Sequence, residues 1–273
     1  VTPLLLSSAE VARLLGVTAG SVKRWADAGL IRCARTAGRH RRFERDEVDR
    51  FLRSRDGGAQ SGPELVDRLL SEGDVHALQA DLLAERARLG AWWRVAEALG
   101  TVLEEMGRRW ADGNLTVLEE HVAAERFART VARCAESLPP RPGAPRVLLA
   151  TAEGEDHTLG LSLVELVVRE WGWTALWAGR RTPLSEVTAL VAGGGLDAVA
   201  VSAGPGCTAG DLSAQVERLA EICRAGEVHL AVGGTGPWPE DIPHGRRVRG
   251  FAGLREWMAD VERDGGWGQG STP

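Results

Sequence analysis

The chain has 273 residues, of which 44% are hydrophobic and 26% charged, with a net charge of −5. This is the balance of a soluble globular protein with room for two or three domains. No run of eighteen uncharged apolar residues occurs, and Val1-Thr2-Pro3-Leu4-Leu5-Leu6-Ser7-Ser8 lacks a basic n-region, so neither a membrane span nor a secretory signal is expected. Cys33, Cys134, Cys207 and Cys223 are scattered with no C-x-x-C pair, which disfavours a zinc site or a disulfide framework and points to a reducing cytoplasm.

The charge is uneven. Residues 1–54 hold eleven Lys/Arg against six acids, a net of +5, which leaves −10 on the remainder. A basic head on an acidic body suggests that only the head meets a polyanion. Within it, Ser8 is a candidate cap for a helix over 10–15, and Gly16-Val17 a tight turn. Thr18 is the candidate cap of a second helix, 19–28, stopped by Gly29. Helix, short glycine turn, helix is the helix-turn-helix arrangement. On its second helix Val22 and Trp25 share an inward face, which leaves Ser21, Lys23 and Arg24 for a major groove. Thr36-Ala37-Gly38-Arg39-His40-Arg41-Arg42-Phe43 then reads as a hairpin whose Arg39, His40, Arg41 and Arg42 would meet phosphates, followed by a short helix over 46–52. The head, residues 4–53, resembles the MerR superfamily and its excisionase-like relatives, with Arg39 where many carry a second glycine. The resemblance implies a winged helix-turn-helix DNA-binding domain over 1–54 and operator DNA as partner.

Residues 55–63, Arg-Asp-Gly-Gly-Ala-Gln-Ser-Gly-Pro, read as a linker. Residues 64–138 hold no proline and repeat apolar residues at three and four, as in Val95, Leu99, Val102 and Leu103. Breaks at Gly73-Asp74, Arg88-Leu89-Gly90 and Asp112-Gly113-Asn114 predict a four-helix bundle. Over 144–263 the pattern alternates. Strands are expected at 146–152, 174–178, 196–202 and 228–232, with helices at 161–170, 183–192, 212–224 and 254–262 and a loose tail at 264–273. Such alternation predicts a parallel sheet covered on both faces, with ligands bound outside the carboxyl ends of its strands. Residues 153–160, 203–210 and 233–238 fall at that rim. The class is therefore multi-domain α and α/β: a winged helix-turn-helix, a four-helix bundle and a flavodoxin-like parallel-sheet domain. No G-x-G-x-x-G follows the first strand, which argues against a dinucleotide site.

Two motifs carry chemistry. After the first strand come Glu155, Asp156, His157 and, three residues on, Gly160. An imidazole there can coordinate a metal while a neighbouring carboxylate fixes its tautomer, and a glycine lets a bulky ligand tail approach the backbone. In the bundle, nine residues separate Trp110 from Glu120-His121. Val117, Glu120, His121 and Ala124 fall on one helix face. An indole, a small aliphatic and a carboxylate can enclose a nucleoside.

Glu155-x-His157-x-x-Gly160 resembles the D-x-H-x-x-G signature of cobalamin-binding domains, with Ser202 and Gly233-Gly234 at the family's later serine and glycine-pair positions. Trp110-x9-Glu120-His121 is similar to the cap of CarH-type photoreceptors, light-sensitive repressors that use adenosylcobalamin. The resemblance spans nearly the whole chain in one domain order. It implies His157 as lower cobalt ligand, Glu155, Asp156, Gly160, Ser202, Gly233 and Gly234 around the cofactor, and Trp110, Val117, Glu120 and His121 near the adenosyl group. It further implies no enzyme activity, a cofactor-loaded homo-oligomer, a tetramer, and release from DNA by photolysis. One departure is Ala111, where relatives carry the histidine that takes the upper cobalt position in the light. A light-independent cobalamin or tetrapyrrole sensor and a corrinoid methyl carrier are the alternative readings.

Overall fold

The computed structural model describes residues 5–15, 18–27, 31–36, 38, 40–53 and 62–265. The expected turn at Gly16-Val17, the stop at Gly29, Arg39, linker residues 55–61 and tail residues 266–273 lie outside them. The chain divides into two compact units, Val1–Pro139 and Pro140–Pro273.

In the first unit, β1 (Leu5–Ser7) leads into α1 (Ser8–Leu15) and α2 (Ala19–Asp27). The cap of α1 is Ser7 and not Ser8. Ser7 Oγ accepts from Glu10 N at 3.2 Å while Glu10 Oε2 accepts from Ser7 N at 2.7 Å, a reciprocal capping box that fills two donors at the helix start. Thr18 caps α2 as expected, its Oγ1 accepting from Ser21 N at 3.1 Å. The wing is β2 (Ala34–Arg35) paired antiparallel with β3 (Arg41–Glu44). β1 adds to the other edge of β3, giving the order β1-β3-β2. Helix α3 (Arg45–Arg53) follows.

Four helices complete this unit: α4 (Gly62–Ser71), α5 (Val75–Leu89), α6 (Trp92–Ala111) and α7 (Val117–Glu136). Gly62 and Pro63 belong to α4, where the sequence suggested linker. Asp74 caps α5 through His76 N at 2.8 Å, and Gly90 ends it at φ 81°. Thr116 and Glu119 form a capping box at the start of α7. Leu78, Leu83, Val95, Leu99, Phe127 and Val131 are buried, the face that the three-and-four spacing requires. Arg126 Nη1 donates to Leu69 O and Leu70 O at 2.7 Å each, satisfying carbonyls left open at the end of α4. Head and bundle also touch. Thr18 N donates to Ser137 O at 2.8 Å, and Trp25 Nε1 to Gln79 Oε1 at 3.4 Å.

The second unit is a five-stranded parallel sheet of β4 (Arg146–Thr151), β5 (Thr174–Gly179), β6 (Ala198–Ala203), β7 (His229–Gly234) and β8 (Gly245–Arg247). Its order, β5-β4-β6-β7-β8, is the flavodoxin-like one. The helices are α8 (Leu159–Glu170), α9 (Leu184–Ala192), α10 (Ala209–Ala225) and α11 (Gly250–Asp264). Leu148, Val199, Val201, Leu230 and Val232 bury one sheet face in a core with Leu184, Val187, Leu212 and Leu219 of α9 and α10. The alternate residues, Val147, Leu149, Ala198, Ala200 and Ala231, are buried too, so the sheet is covered on both faces. α8 starts two residues before the expected Leu161 and takes Gly160 into its first turn. β8 and the early start of α11 were not expected.

Candidate functional site

The order of the sheet reverses between β4 and β6, and a doubly wound sheet opens a crevice at that point. Thr151 of β4 pairs with Ser202 of β6, and Ser202 with Gly233 of β7. Three carboxyl-terminal strand ends therefore bring Ser202 and Gly233-Gly234 beside the loop that launches His157. Gly234 has φ 88°, and a Cβ there would lie 2.3 Å from Ala203 O and 3.0 Å from Ser202 Oγ. Only glycine fits between these strand ends.

His157 is 83% exposed, yet its ring is fixed. Its Nδ1 lies 2.6 Å from Glu155 Oε1, which also accepts from His157 N at 2.8 Å. Glu155 itself is 4% exposed, and its Oε2 meets Gly204 N at 2.6 Å and Cys207 Sγ at 3.5 Å. Burial pushes its pKa up, but the His157 and Gly204 bonds outweigh that and hold the carboxyl below its ordinary range. The Cys207 thiol is pushed up by burial and by the adjoining Glu155. A carboxylate facing Nδ1 selects the tautomer that carries its proton there, so the Nε2 lone pair is free and faces solvent.

The loop is pinned from behind. Thr151 Oγ1 donates to Glu155 O at 2.8 Å, and Arg181 pairs with Asp156 through two bonds of 2.6 and 2.5 Å. That pairing lowers the Asp156 pKa and turns its carboxylate toward Arg181. Glu153 Oε1 accepts from Leu184 N at 2.8 Å, and Glu153 N donates to Gln215 Oε1 at 2.8 Å. Beside His157 is an open cleft of about 590 Å³ whose walls include Cys207, Thr208, Asp211, Gln215 and Arg218. A Cβ on Gly160 would meet nothing within 4 Å, so the start of α8 is open to a bulky neighbour. Gly204, Cys207, Gln215 and Arg181 were not among the residues singled out from the sequence. The run Gly204-Pro205-Gly206 marked a tight loop there, but nothing in it named its partner. Among the described residues no three His, Cys, Asp or Glu side chains converge as a metal-binding group. His157 presents one oriented nitrogen donor at the mouth of the cleft.

In the bundle, Trp110 at the end of α6 is 53% exposed, and Val117 and Leu118 at the start of α7 are 60% and 72% exposed. Glu120 Oε2 lies 3.7 Å from His121 Nε2 on the same helix. The end of α6 is fixed by Arg109, which bonds Glu105 at 2.7 Å, Asp67 at 2.5 Å and Pro63 O at 3.1 Å. The indole is therefore held on a rigid helix end without being packed into the core.

In the head, Val22 and Trp25 are buried, and Trp25 stacks on Phe51 at 6.1 Å. Lys23 and Arg24 are exposed on α2. Ser21 corrects the sequence reading: it is 1% exposed, with Oγ 3.0 Å from Thr18 Oγ1 and 3.1 Å from Arg24 Nη2. At the third position of a capped helix its hydroxyl is used locally and does not face a groove. Arg41 turns back onto Asp27, an acid it shares with Arg35, and Arg42 is half-buried, with Nη1 3.3 Å from Arg41 O. His40 is exposed at the wing tip, its backbone closed onto Thr36.

Residues 5–56 match the profile of a helix-turn-helix domain family. The chain is 26% identical over 203 residues to the HTH-type transcriptional repressor CarA of Myxococcus xanthus, across 65% of this chain and 69% of that one. Among solved structures it is similar to the monomethylamine corrinoid protein of Methanosarcina barkeri, with 14% identity and a TM-score of 0.50 over 73% of this chain and 96% of that one. It is also similar to a cobalamin-binding protein of Desulfitobacterium hafniense, with 17% identity and a TM-score of 0.37 over 77% and 95%. No helix among the described residues is long and apolar enough to cross a membrane. The chain therefore carries a helix-turn-helix domain of the matched family, is related in sequence to a transcriptional repressor, and shares its fold with a corrinoid protein.

Proposed function

We propose that this protein is a cobalamin-binding transcriptional regulator and not an enzyme, acting in the cytoplasm on operator DNA. The observation that carries the reading is the His157 imidazole, with Nδ1 on the buried Glu155 and Nε2 free, at the switch point of a flavodoxin-like sheet. His157 would hold the cobalt of the corrinoid, with Glu155 setting its tautomer. Ser202, Gly233 and Gly234 at the strand ends would flank the nucleotide tail, with Asp156 and Gly160 at the loop and helix beside it. When bound, adenosylcobalamin supplies a light-cleavable cobalt–carbon bond. Trp110, Val117, Glu120 and His121 are the residues assigned to the adenosyl group, because Trp110 and Val117 leave apolar surface exposed on firmly held helix ends.

The head then contacts DNA with Lys23 and Arg24 on α2 and with His40 and its arginine neighbours on the wing. A cofactor-loaded homo-oligomer, a tetramer, would present several heads to one operator and raise affinity by multivalency. Illumination would lower the oligomer's stability, and repression would be lifted. The ligand can drive this only through its differential affinity for the two states.

The test is uptake of adenosylcobalamin in the dark by the full chain and by His157→Ala, read by absorption after unbound cofactor is removed. The parent should hold the cofactor with its own base displaced. The variant should lose it or retain the base-on spectrum, and identical spectra would sink the ligand assignment. Size-exclusion chromatography of loaded protein before and after green light tests the light response. A light-independent sensor is the second reading, favoured by one observation: Ala111, next to Trp110, offers no imidazole for a photoproduct. An assembly that forms on loading and is unchanged by light would select it. A methyl carrier, suggested by the corrinoid-protein fold, would instead pass a methyl group from its loaded corrinoid to an acceptor.

A further inference from the structure

Glu155 and Gly204 are fitted to one another. A Cβ built on Gly204 would lie 2.6 Å from Glu155 Oε2 and 3.3 Å from its Cδ, well inside contact distance. The backbone of Gly204 does not call for glycine, since it is absent from the positive-φ glycines, and its amide donates to that same Oε2 at 2.6 Å. The carboxylate alone excludes a side chain. Nor can Glu155 step aside easily. It is buried, its Oε1 is engaged twice by His157, and its carbonyl accepts from Thr151 Oγ1 at 2.8 Å and from Arg181 N at 3.3 Å.

We infer that Gly204 is a positioning residue for His157. The missing side chain on the loop after β6 makes room for an acid as long as glutamate to cross from the loop after β4, bond the Gly204 amide and still hold the imidazole. The size of the acid at 155 and the absence of a side chain at 204 are one choice. The consequence for cofactor binding rests on the reading of His157 as the axial ligand, whereas the steric link between the two loops does not.

The prediction is a rescue. In Gly204→Ala the new methyl displaces the carboxylate and His157 Nδ1 loses its partner. In Glu155→Asp/Gly204→Ala the acid is one methylene shorter, which clears the methyl and still reaches His157, two residues away on its own loop. The first readout needs no cofactor: the His157 tautomer at fixed neutral pH, from long-range nitrogen–proton NMR correlations on the full chain. The parent should hold the proton on Nδ1, Gly204→Ala should show a mixture with Nε2–H, and the double variant should return toward the parent. The second readout is adenosylcobalamin affinity, expected to fall roughly 10- to 100-fold in Gly204→Ala, the usual effect of losing a partner behind a metal ligand, and to recover in the double variant. Gly73→Ala, in the loop between α4 and α5, whose Cβ meets nothing within 4 Å, should change neither readout.

A parent-like tautomer in Gly204→Ala, or a double variant no closer to the parent than the single, overturns the inference. If Gly204→Ala fails to fold, a folded double variant supports the link and an unfolded one refutes it. If the parent takes up no adenosylcobalamin, the functional reading falls while the tautomer comparison still decides the steric one.

Discussion

Glu155→Gln asks what the buried carboxylate does, because it keeps the shape and removes one acceptor. Four donors meet Glu155: His157 N at 2.8 Å and Nδ1 at 2.6 Å on Oε1, and Gly204 N at 2.6 Å and Cys207 Sγ at 3.5 Å on Oε2. Glutamine has one oxygen and one NH2, so in either orientation a donor pair faces amide hydrogens. A buried donor left without an acceptor costs about 1–3 kcal/mol, and bonds to a neutral acceptor are worth roughly half of charge-assisted ones. Relief from burying a charge offsets part of this. The α/β unit should lose about 2–4 kcal/mol on these figures. The imidazole has a way out that the backbone amides lack. With the NH2 turned toward it, Nδ1 becomes the acceptor and the proton moves to Nε2, the nitrogen required to be free. The assay is native-state amide exchange on β4 and β6 together with the His157 tautomer. A loss under about 0.5 kcal/mol, the size of an ordinary surface change, with Nδ1–H retained would refute this account of Glu155.

Gly234→Ala combines a left-handed φ of 88° with a Cβ 2.3 Å from Ala203 O, so about 2–5 kcal/mol of stability should be lost, measured by urea unfolding; a parent-like midpoint would contradict the tight strand ends. Lys23→Ala should lower the salt slope of DNA binding by about 1 without loss of folding, whereas Arg41→Ala, which removes one of the two arginines on Asp27, should change the slope less. Equal slopes for both variants would overturn that ranking. Trp25→Phe keeps the stack on Phe51 but strands the buried Gln79, which should cost about 1 kcal/mol, read by thermal unfolding of the full chain. Glu105 has its pKa lowered by bonds from Arg109 and Arg108, so its contribution is complete above the usual carboxylate value of about 4.3 and is lost as pH falls through the depressed one. Amide exchange in the last turn of α6 should therefore be unaffected by this group between about pH 7 and 5 and accelerate below about pH 4; acceleration already at pH 6 would argue against the assignment.

What the sequence made legible follows from what one-dimensional patterns can encode. The strands β4, β6 and β7 are buried β-branched and alanine runs between glycine-rich loops, and such runs have few other uses. The bundle helices announce themselves by apolar spacing and by glycine at their ends, as Gly90 does with its left-handed φ. β1 and β8 were missed because each is a three-residue edge strand, held by its neighbour's ladder and not by its own pattern. Ser21 was misread because periodicity ranks polarity, and it is the Thr18 hydroxyl that allows this serine to be buried. The His157 loop was legible as a motif, but Gly204 was not. A glycine whose backbone needs no special conformation gives no signal until the residue 49 positions earlier is seen to fill its space.

The energetics of the His157 loop run against a purely structural explanation. The imidazole buries almost nothing, at 83% exposure, so its packing contributes little to the fold. Yet a buried carboxylate, two loops and a glycine held free of any side chain converge to fix its orientation. Burying that carboxylate is costly, and its four donors are what offset the cost. The return is an aromatic nitrogen held at a fixed angle toward solvent, and ordering of that kind has value only for something that docks against it. On the proposed reading that occupant also stabilises the unit, since a ligand at one hundred times its Kd adds about 2.7 kcal/mol to the state that binds it. Added adenosylcobalamin should therefore raise the thermal midpoint of the parent and leave that of His157→Ala almost unmoved, and equal shifts in the two would place the docking elsewhere.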